Sequence, residues 1–216
     1  MKKNKTPDPY RLADLTIEQI AEDMLVQFEE YENELYLAKF DELNVIGLTK
    51  SLYETLDHSA SELLEALFIE RYEEVEDWVG GDLDEDEIDD LAEMQMAQLL
   101  ETPNAVTKYS YNSEVLRKRD RLSESVNAVK HTEEKKEEVE KAMRLWGQMV
   151  AQYADETADA ATVLAFRNAG VKKVVWHSQE DQRVCRECDE LDGKEFYINA
   201  LPDKPHWRCR CWITPA

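Results

Sequence analysis

Residues 183–211 read R-V-C-R-E-C-D-E-L-D-G-K-E-F-Y-I-N-A-L-P-D-K-P-H-W-R-C-R-C. All four cysteines of the chain lie there: Cys185, Cys188, Cys209 and Cys211, with His206 three residues ahead of Cys209. A C-x-x-C pair, a spacer and an H-x-x-C-x-C ending form the pattern of one tetrahedral metal site. Thiolate and imidazole are the donors that zinc takes in a closed structural tetrahedron. Five candidates compete for four positions. Cys185, Cys188, His206 and Cys209 are favoured because C-x-x-C and H-x-x-C share one spacing. Cys211 in place of His206, a four-cysteine site, is the next choice, and His177 is a distant third. Asp192-Gly193 is a turn signal, and Lys194 to Ile198 reads as a short strand. The spacer is therefore expected to be a hairpin that returns the chain to the first pair.

Disulfides are the competing use of four cysteines. Met1-Lys2-Lys3-Asn4-Lys5 leads into Thr6-Pro7-Asp8-Pro9 without an apolar targeting segment. The expectation is a reducing cytosol, where structural disulfides are rare and zinc is the better reading. So short a module cannot bury much apolar surface by itself, so metal binding would supply folding energy to it. Catalytic zinc patterns do not fit. A zinc deaminase needs H-x-E and P-C-x-x-C, whereas Gln179 stands two places after His177 and Arg183-Val184 precede Cys185. The H-E-x-x-H of a metalloprotease is absent. A site filled by protein ligands also leaves no position for a reacting water.

These residues resemble the Mu F-like family of phage head-morphogenesis proteins, also called minor head or minor capsid proteins. The resemblance runs through Trp176, Asp181, Arg183-Val184-Cys185, Cys188, Leu191-Asp192-Gly193-Lys194, Phe196 and the ending from His206 to Cys211. Upstream, Thr162 to Gly170 is similar to the family's helix ending T-x-x-x-A-x-x-N-x-G, with Ala165 one place nearer. Thr107-Lys108-Tyr109 and Glu114 to Arg119 resemble a further family stretch. The match spans roughly half the chain. Trp207-Arg208 stands where the family often has Pro-Asn, which leaves the ligand spacing intact. The resemblance implies a non-enzymatic head component that associates with the portal protein, the major capsid protein or both, with packaged DNA as a further partner. It would act in procapsid assembly, DNA packaging or DNA ejection. Its place would be the host cytoplasm during assembly and then the virion head, in the capsid interior or at the portal vertex. Some members carry an effector domain after this module, and none is expected in a chain that stops five residues after Cys211. The rival reading is a zinc-ribbon-like nucleic-acid-binding protein, with Arg183, Arg186, Arg208, Arg210 and Trp207 meeting phosphate and base.

Outward from the tail the chain changes character. It has 216 residues, 34% of them charged, and a net charge of -22. From Gly170 onward eight basic and eight acidic side chains cancel, so the whole deficit falls on residues 1–169. That half repels nucleic acid. No apolar run is long enough to span a membrane. Six glycines and six prolines suit long helices.

Residues 1–15, with Lys2, Lys3, Lys5, Pro7 and Pro9, read as a flexible arm. Thr16 and Gln19 form a capping-box pattern. Ile17, Ile20, Met24, Phe28, Tyr31 and Leu35 then trace one face of a helix to about Phe40. A second long helix is expected from about Gly47 to Val79, with Ser59-Ala60-Ser61 as a candidate interruption and Gly80-Gly81 as its stop. The acidic run from Asp82 to Asp90 lacks the glycine a calcium loop needs, since Glu87 stands there. It reads instead as the first turn of a helix over about 85–100, where the helix dipole favours carboxylates.

Thr102-Pro103-Asn104 is a break. A helix capped by Asn112 or Ser113 is expected to follow, carrying the basic cluster Arg117, Lys118, Arg119 and Arg121. That cluster reads as a solvated face or as a partner of the acidic run. His131 to Lys141 alternates in charge and reads as an exposed connector, before a last helix from Ala142 to Asn168. Val171 to Trp176 reads as a strand. The expected architecture is mainly α: an arm (1–15), an acidic helical region (16–101), a second helical region (102–169) and a small α+β zinc-binding module (170–216).

Overall fold

The computed structural model describes residues 6–104, 107–179 and 184–216. The chain is mainly helical, with a three-stranded sheet near its C-terminus. Among the described residues five long helices come first: α1 (Arg11–Leu37), α2 (Glu42–Val79), α3 (Glu85–Glu101), α4 (Tyr111–Ala128) and α5 (Thr132–Asn168). Then come β1 (Lys173–His177), the short α6 (Arg186–Leu191), β2 (Glu195–Tyr197) and β3 (Trp212–Pro215). Among the described residues no helix is long and apolar enough to cross a membrane.

Helices α1, α2 and α5 pack on one another, α4 lies against α2 and α5, and α3 lies mainly against α2 and α4. The stripe expected on α1 is a core face: Ile20, Met24, Phe28, Tyr31 and Leu35 are buried. At the centre Tyr53 of α2 and Tyr111 of α4 meet Trp146 at 5.5 and 6.5 Å between ring centres, and Tyr153 of α5 meets Tyr111 at 5.0 Å. Edge-to-face aromatic packing of this kind adds to the burial of the rings themselves.

Several element boundaries differ from expectation, each for a local reason. Of the expected flexible arm, the described part is anchored. Asp8 Oδ1 accepts the Tyr10 N–H at 3.0 Å, an Asx turn, and α1 starts at Arg11, so Thr16 lies inside it. Helix α2 is capped by Asp41, whose carboxylate accepts the Asn44 N–H, and it runs unbroken through Ser59-Ala60-Ser61 because Ala60 is fully buried. Helix α4 is capped by Ser110, one turn before the expected Ser113, which is the residue whose N–H it receives. The expected connector over 131–141 is the first turns of α5: its charges face water while Lys135 and Val139 face inward. Lys135 Nζ donates to Val126 O, a buried carbonyl in the last turn of α4. Two members of the cluster on α4 meet near neighbours: Arg117 lies 3.9 Å over the Tyr109 ring and Arg119 pairs with Asp120.

Two of the expected local signals are in place and carry consequences. Asp84 and Glu87 form a capping box that starts α3 in the middle of the acidic run. Gly80 ends α2 at φ 85°, with its N–H on Glu76 O at 2.8 Å. A Cβ there would meet nothing within 4 Å, so Gly80→Ala is expected to cost only the left-handed backbone penalty. That is about 1 kcal/mol, a fall of a few degrees in Tm by thermal unfolding.

In the sheet, β1 is central and antiparallel to both neighbours, with Val174 opposite Phe196 and Pro215. The spacer is not a plain hairpin. It holds α6 and then the Asp192-Gly193 turn, with Gly193 at φ 70°. Gly193 N–H donates to Trp176 O at 2.8 Å, and Asp192 Oδ1 accepts the Ser178 N–H. The turn thus brings the strand after it back against β1, and β3 closes the other side.

A candidate metal centre docked on helix α5

The second, small core of the protein is made of the cysteines themselves. Trp176, Cys188, Cys209 and Cys211 are buried together, with Val184, Cys185, Leu191, Phe196 and Ile213 around them. Cys185 is the N-cap of α6, and its sulfur accepts the Cys188 N–H at 3.3 Å. This short helix is what sets the first two donors side by side. The other donors come from the irregular segment after β2. Arg208, between His206 and Cys209, takes a left-handed backbone at φ 55°, and its N–H is held by Gln152 Oε1 of α5.

Two groups of donors lie close enough to hold a metal ion: Cys185, Cys188 and His206, and Cys188, Cys209 and Cys211. Cys188 belongs to both. Its sulfur lies 3.3 Å from His206 Nε2 and 3.6 Å from Cys209 Sγ. The latter separation is far beyond the ~2.05 Å of a disulfide, and all four cysteines are free thiols. His206 Nδ1 lies 2.9 Å from the Trp207 carbonyl, which can only accept. Nδ1 therefore carries the ring proton, and the Nε2 lone pair points at the cluster, the arrangement usual for a metal-binding histidine.

The sulfurs perturb one another. Burial pushes the Cys188 thiol up to about 12, and the neighbouring Cys185 and Cys209 sulfurs push the same way. Cys209 is raised by its contact with Cys211 and by burial, whereas that same contact lowers Cys211. Thiols such as Cys188 and Cys209 must lose their protons to become ligands, so metal binding here would release protons. The donor set of sulfur and imidazole fits a soft or borderline ion rather than magnesium or calcium.

All five expected ligands are thus brought together. His177 is not among them: its Nε2 meets Thr214 Oγ1 at 2.8 Å and its ring stacks on Trp212. Asp181 and Arg183 lie outside the described residues.

What sequence reasoning missed is the seat of this module. Gln152, Asp155, Glu156 and Asp159 form a polar stripe on α5, spaced three and four apart. Arg208 Nε meets Asp155 Oδ2 at 2.9 Å, Arg210 Nε meets Asp155 Oδ1 at 3.5 Å, and Lys204 Nζ meets Asp159 Oδ2 at 2.9 Å. Arg210 also reaches Asp14 at 3.0 Å. Burial pushes Asp155 up to about 6 although Arg208 and Arg210 pull it down. The i, i+3, i+4, i+7 spacing of acids and amides is present in the sequence, hidden by the alanines between them.

Glu156 accepts from both Asn104 Nδ2 and Gln152 Nε2, and burial raises it from 4.5 to about 7. Its charged form opposes folding above pH 7, and that opposition is relieved as pH falls through 7 toward 4.5. Glu156→Gln keeps an accepting oxygen without the charge. The variant is expected to gain at least about 1 kcal/mol at pH 8, since each tenfold change in proton affinity on folding is worth ~1.4 kcal/mol. The gain should shrink steadily below pH 7 and be nearly gone at about pH 5. Urea unfolding at about pH 5, 6.5 and 8 checks this, and equal gains at all three would overturn the assignment.

No family model matches the chain, and neither the curated proteins nor the solved structures compared with it contain a match.

Proposed function

We propose that this protein is a non-enzymatic minor head component of a tailed phage or prophage, of the Mu F-like kind, and that its Cys/His cluster holds one structural zinc ion. The observation that carries the reading is the tail itself. The C-x-x-C, L-D-G-K-x-F and H-x-x-C-R-C segments that prompt the resemblance come together around Cys188 as one unit that could hold a metal ion. The bundle would contact the portal or the capsid, and the tail would serve as a rigid element of the fold. The assembly site would be the host cytoplasm and the final site the virion head.

The nucleic-acid reading has less support. Arg208 and Arg210 are engaged with Asp155 and Asp14, and Arg186 pairs with Glu190 at 2.8 Å. Freeing them for phosphate would break those pairs beside a strongly acidic helical region. Co-expression with the reading frames that flank the gene, followed by affinity purification, tests the choice. Recovery of a portal-like ring protein or a major capsid protein in stoichiometric amount is expected. A chain that instead retains nucleic acid, and loses it steeply as salt rises, would favour the rival.

A further inference from the structure

The end of the bundle far from the metal centre carries an apolar surface that no part of the described chain covers. Helix α1 ends at Leu37 and α2 starts at Glu42. Leu37 is 83% exposed, Leu43 79% and Ile46 49%. Leu43 and Ile46 are three apart and so share one face of α2. Ile46 lines a groove of about 560 Å³ between the first turns of α2 and the last turns of α4. Large exposed apolar groups gathered at one end, rather than scattered, mark interaction surfaces.

The turn behind this surface is held rather than loose. Lys39 and Phe40 both have φ 53°, a conformation that persists in non-glycine residues only when the surroundings enforce it. The Phe40 ring packs edge-on against Tyr36 at 5.2 Å, and Lys135 Nζ lies 5.3 Å from it. A surface fixed in advance costs little ordering when a partner arrives.

Its charge selects the partner. Residues 30–46 hold five carboxylates against one lysine; Lys136 of α5 pairs with Glu32 at 3.6 Å and the Asp41 carboxylate caps α2, so Glu30, Glu34 and Glu42 carry the excess. In the groove, Lys50 pairs with Glu54 and Arg119 with Asp120, so Glu42 and Glu124 set its sign. A second copy of a chain with net charge -22 would be repelled there, as would nucleic acid.

We infer that the α1–α2 end docks a basic amphipathic helix of a protein partner, its apolar face on Leu37, Leu43 and Ile46 and its basic rim on the surrounding carboxylates. Such a helix would lie across the exposed leucines at the mouth of the groove and reach into it at Ile46, with anchors three and four residues apart. It stands independently of the head-assembly reading.

The test uses the full chain and a labelled peptide of about 18 residues with leucines at i, i+3, i+4 and i+7 and lysines elsewhere, followed by fluorescence anisotropy. Leu37→Ser/Leu43→Ser/Ile46→Ser leaves the charge unchanged and should weaken binding about ten-fold or more, the loss expected when central anchors are removed. Leu25→Ser/Val26→Ser/Met94→Ser removes comparably exposed side chains elsewhere and should leave binding as it was. Equal affinity of the two variants would mean attraction by net charge alone and would overturn the inference, as would absence of binding to the native chain. A native chain that sediments as a dimer, and becomes monomeric in the first variant, would overturn it by assigning the surface to a second copy.

Discussion

Cys188→Ser is expected to abolish metal binding, from about one ion per chain to near zero, while His206→Ala and Cys211→Ser each retain a substantial share. The difference follows from the geometry. Five donors surround a site with four positions, and Cys188 is the only one common to both close groups. Without it, neither group keeps three donors. Without His206 the close group Cys188, Cys209 and Cys211 stays whole, and without Cys211 the group Cys185, Cys188 and His206 does, so each variant keeps one of the two ligand sets open from the outset. Structural zinc binding in small modules is worth on the order of 10 kcal/mol, and the small core around Trp176 is built from the same cysteines. Loss of the ion should therefore loosen the segments around this small core while leaving the five long helices in place, because their core around Trp146 is larger and reaches the tail only through Val174, Ile198 and their neighbours. Metal content by elemental mass spectrometry, read with hydrogen exchange, checks this. Exchange should rise throughout β1 and α6 and hardly change in α2. Retention of a full equivalent by Cys188→Ser would remove the assigned geometry. A single cooperative loss of all helices would instead mean that the bundle depends on the tail far more than its own core implies.

The parts of this structure that can be read from sequence are those fixed by local chemistry. The α1 stripe, the glycine stop at Gly80, the carboxylate-rich start of α3 and the C-x-x-C turn each depend on a few neighbouring residues, and each is where the spacing places it. The five donors are legible for the same reason, because thiol and imidazole at those intervals have few other uses. What is not legible is set at long range. Tyr10 reads as part of a proline-rich arm because its partners lie about 150 and 200 residues away in sequence. The break at 129–131 carries neither glycine nor proline. It is stabilised by Lys135 reaching back to Val126 O, a contact no local pattern announces. Arg208 and Arg210 read as phosphate contacts because their carboxylate partners sit on α5, in a segment whose composition suggests alanine packing.

Tyr10→Ala is expected to cost about 3–4 kcal/mol, within the range for deleting a buried aromatic ring, although the residue lies before the first helix and far from every metal ligand in sequence. Tyr10 is 2% exposed. Its Oη lies 2.8 Å from Cys211 O and 2.9 Å from Asp159 Oδ1, and Lys204 Nζ donates to it at 2.9 Å. The Arg210 guanidinium sits 4.5 Å over the ring. One side chain thus joins the start of α1, the acidic stripe of α5 and the backbone of a candidate ligand. Tyr10→Phe keeps the ring and loses only the hydroxyl, so about 1 kcal/mol is expected for it. The decisive readout is the metal rather than the melting point. If the tail were merely tethered to the bundle, Tyr10→Ala would leave the rate of metal transfer to a chelator unchanged. Because Tyr10 holds Cys211 in place, transfer should be several-fold faster in Tyr10→Ala, and exchange should rise together in the first turn of α1 and in the segment around Lys204. The ion pairs of Arg208, Arg210 and Lys204 are partly exposed and weaken with salt, whereas burial of an aromatic ring does not. The gap in transfer rate between the native chain and Tyr10→Ala should accordingly persist at high ionic strength, and its disappearance there would assign the docking to the ion pairs instead.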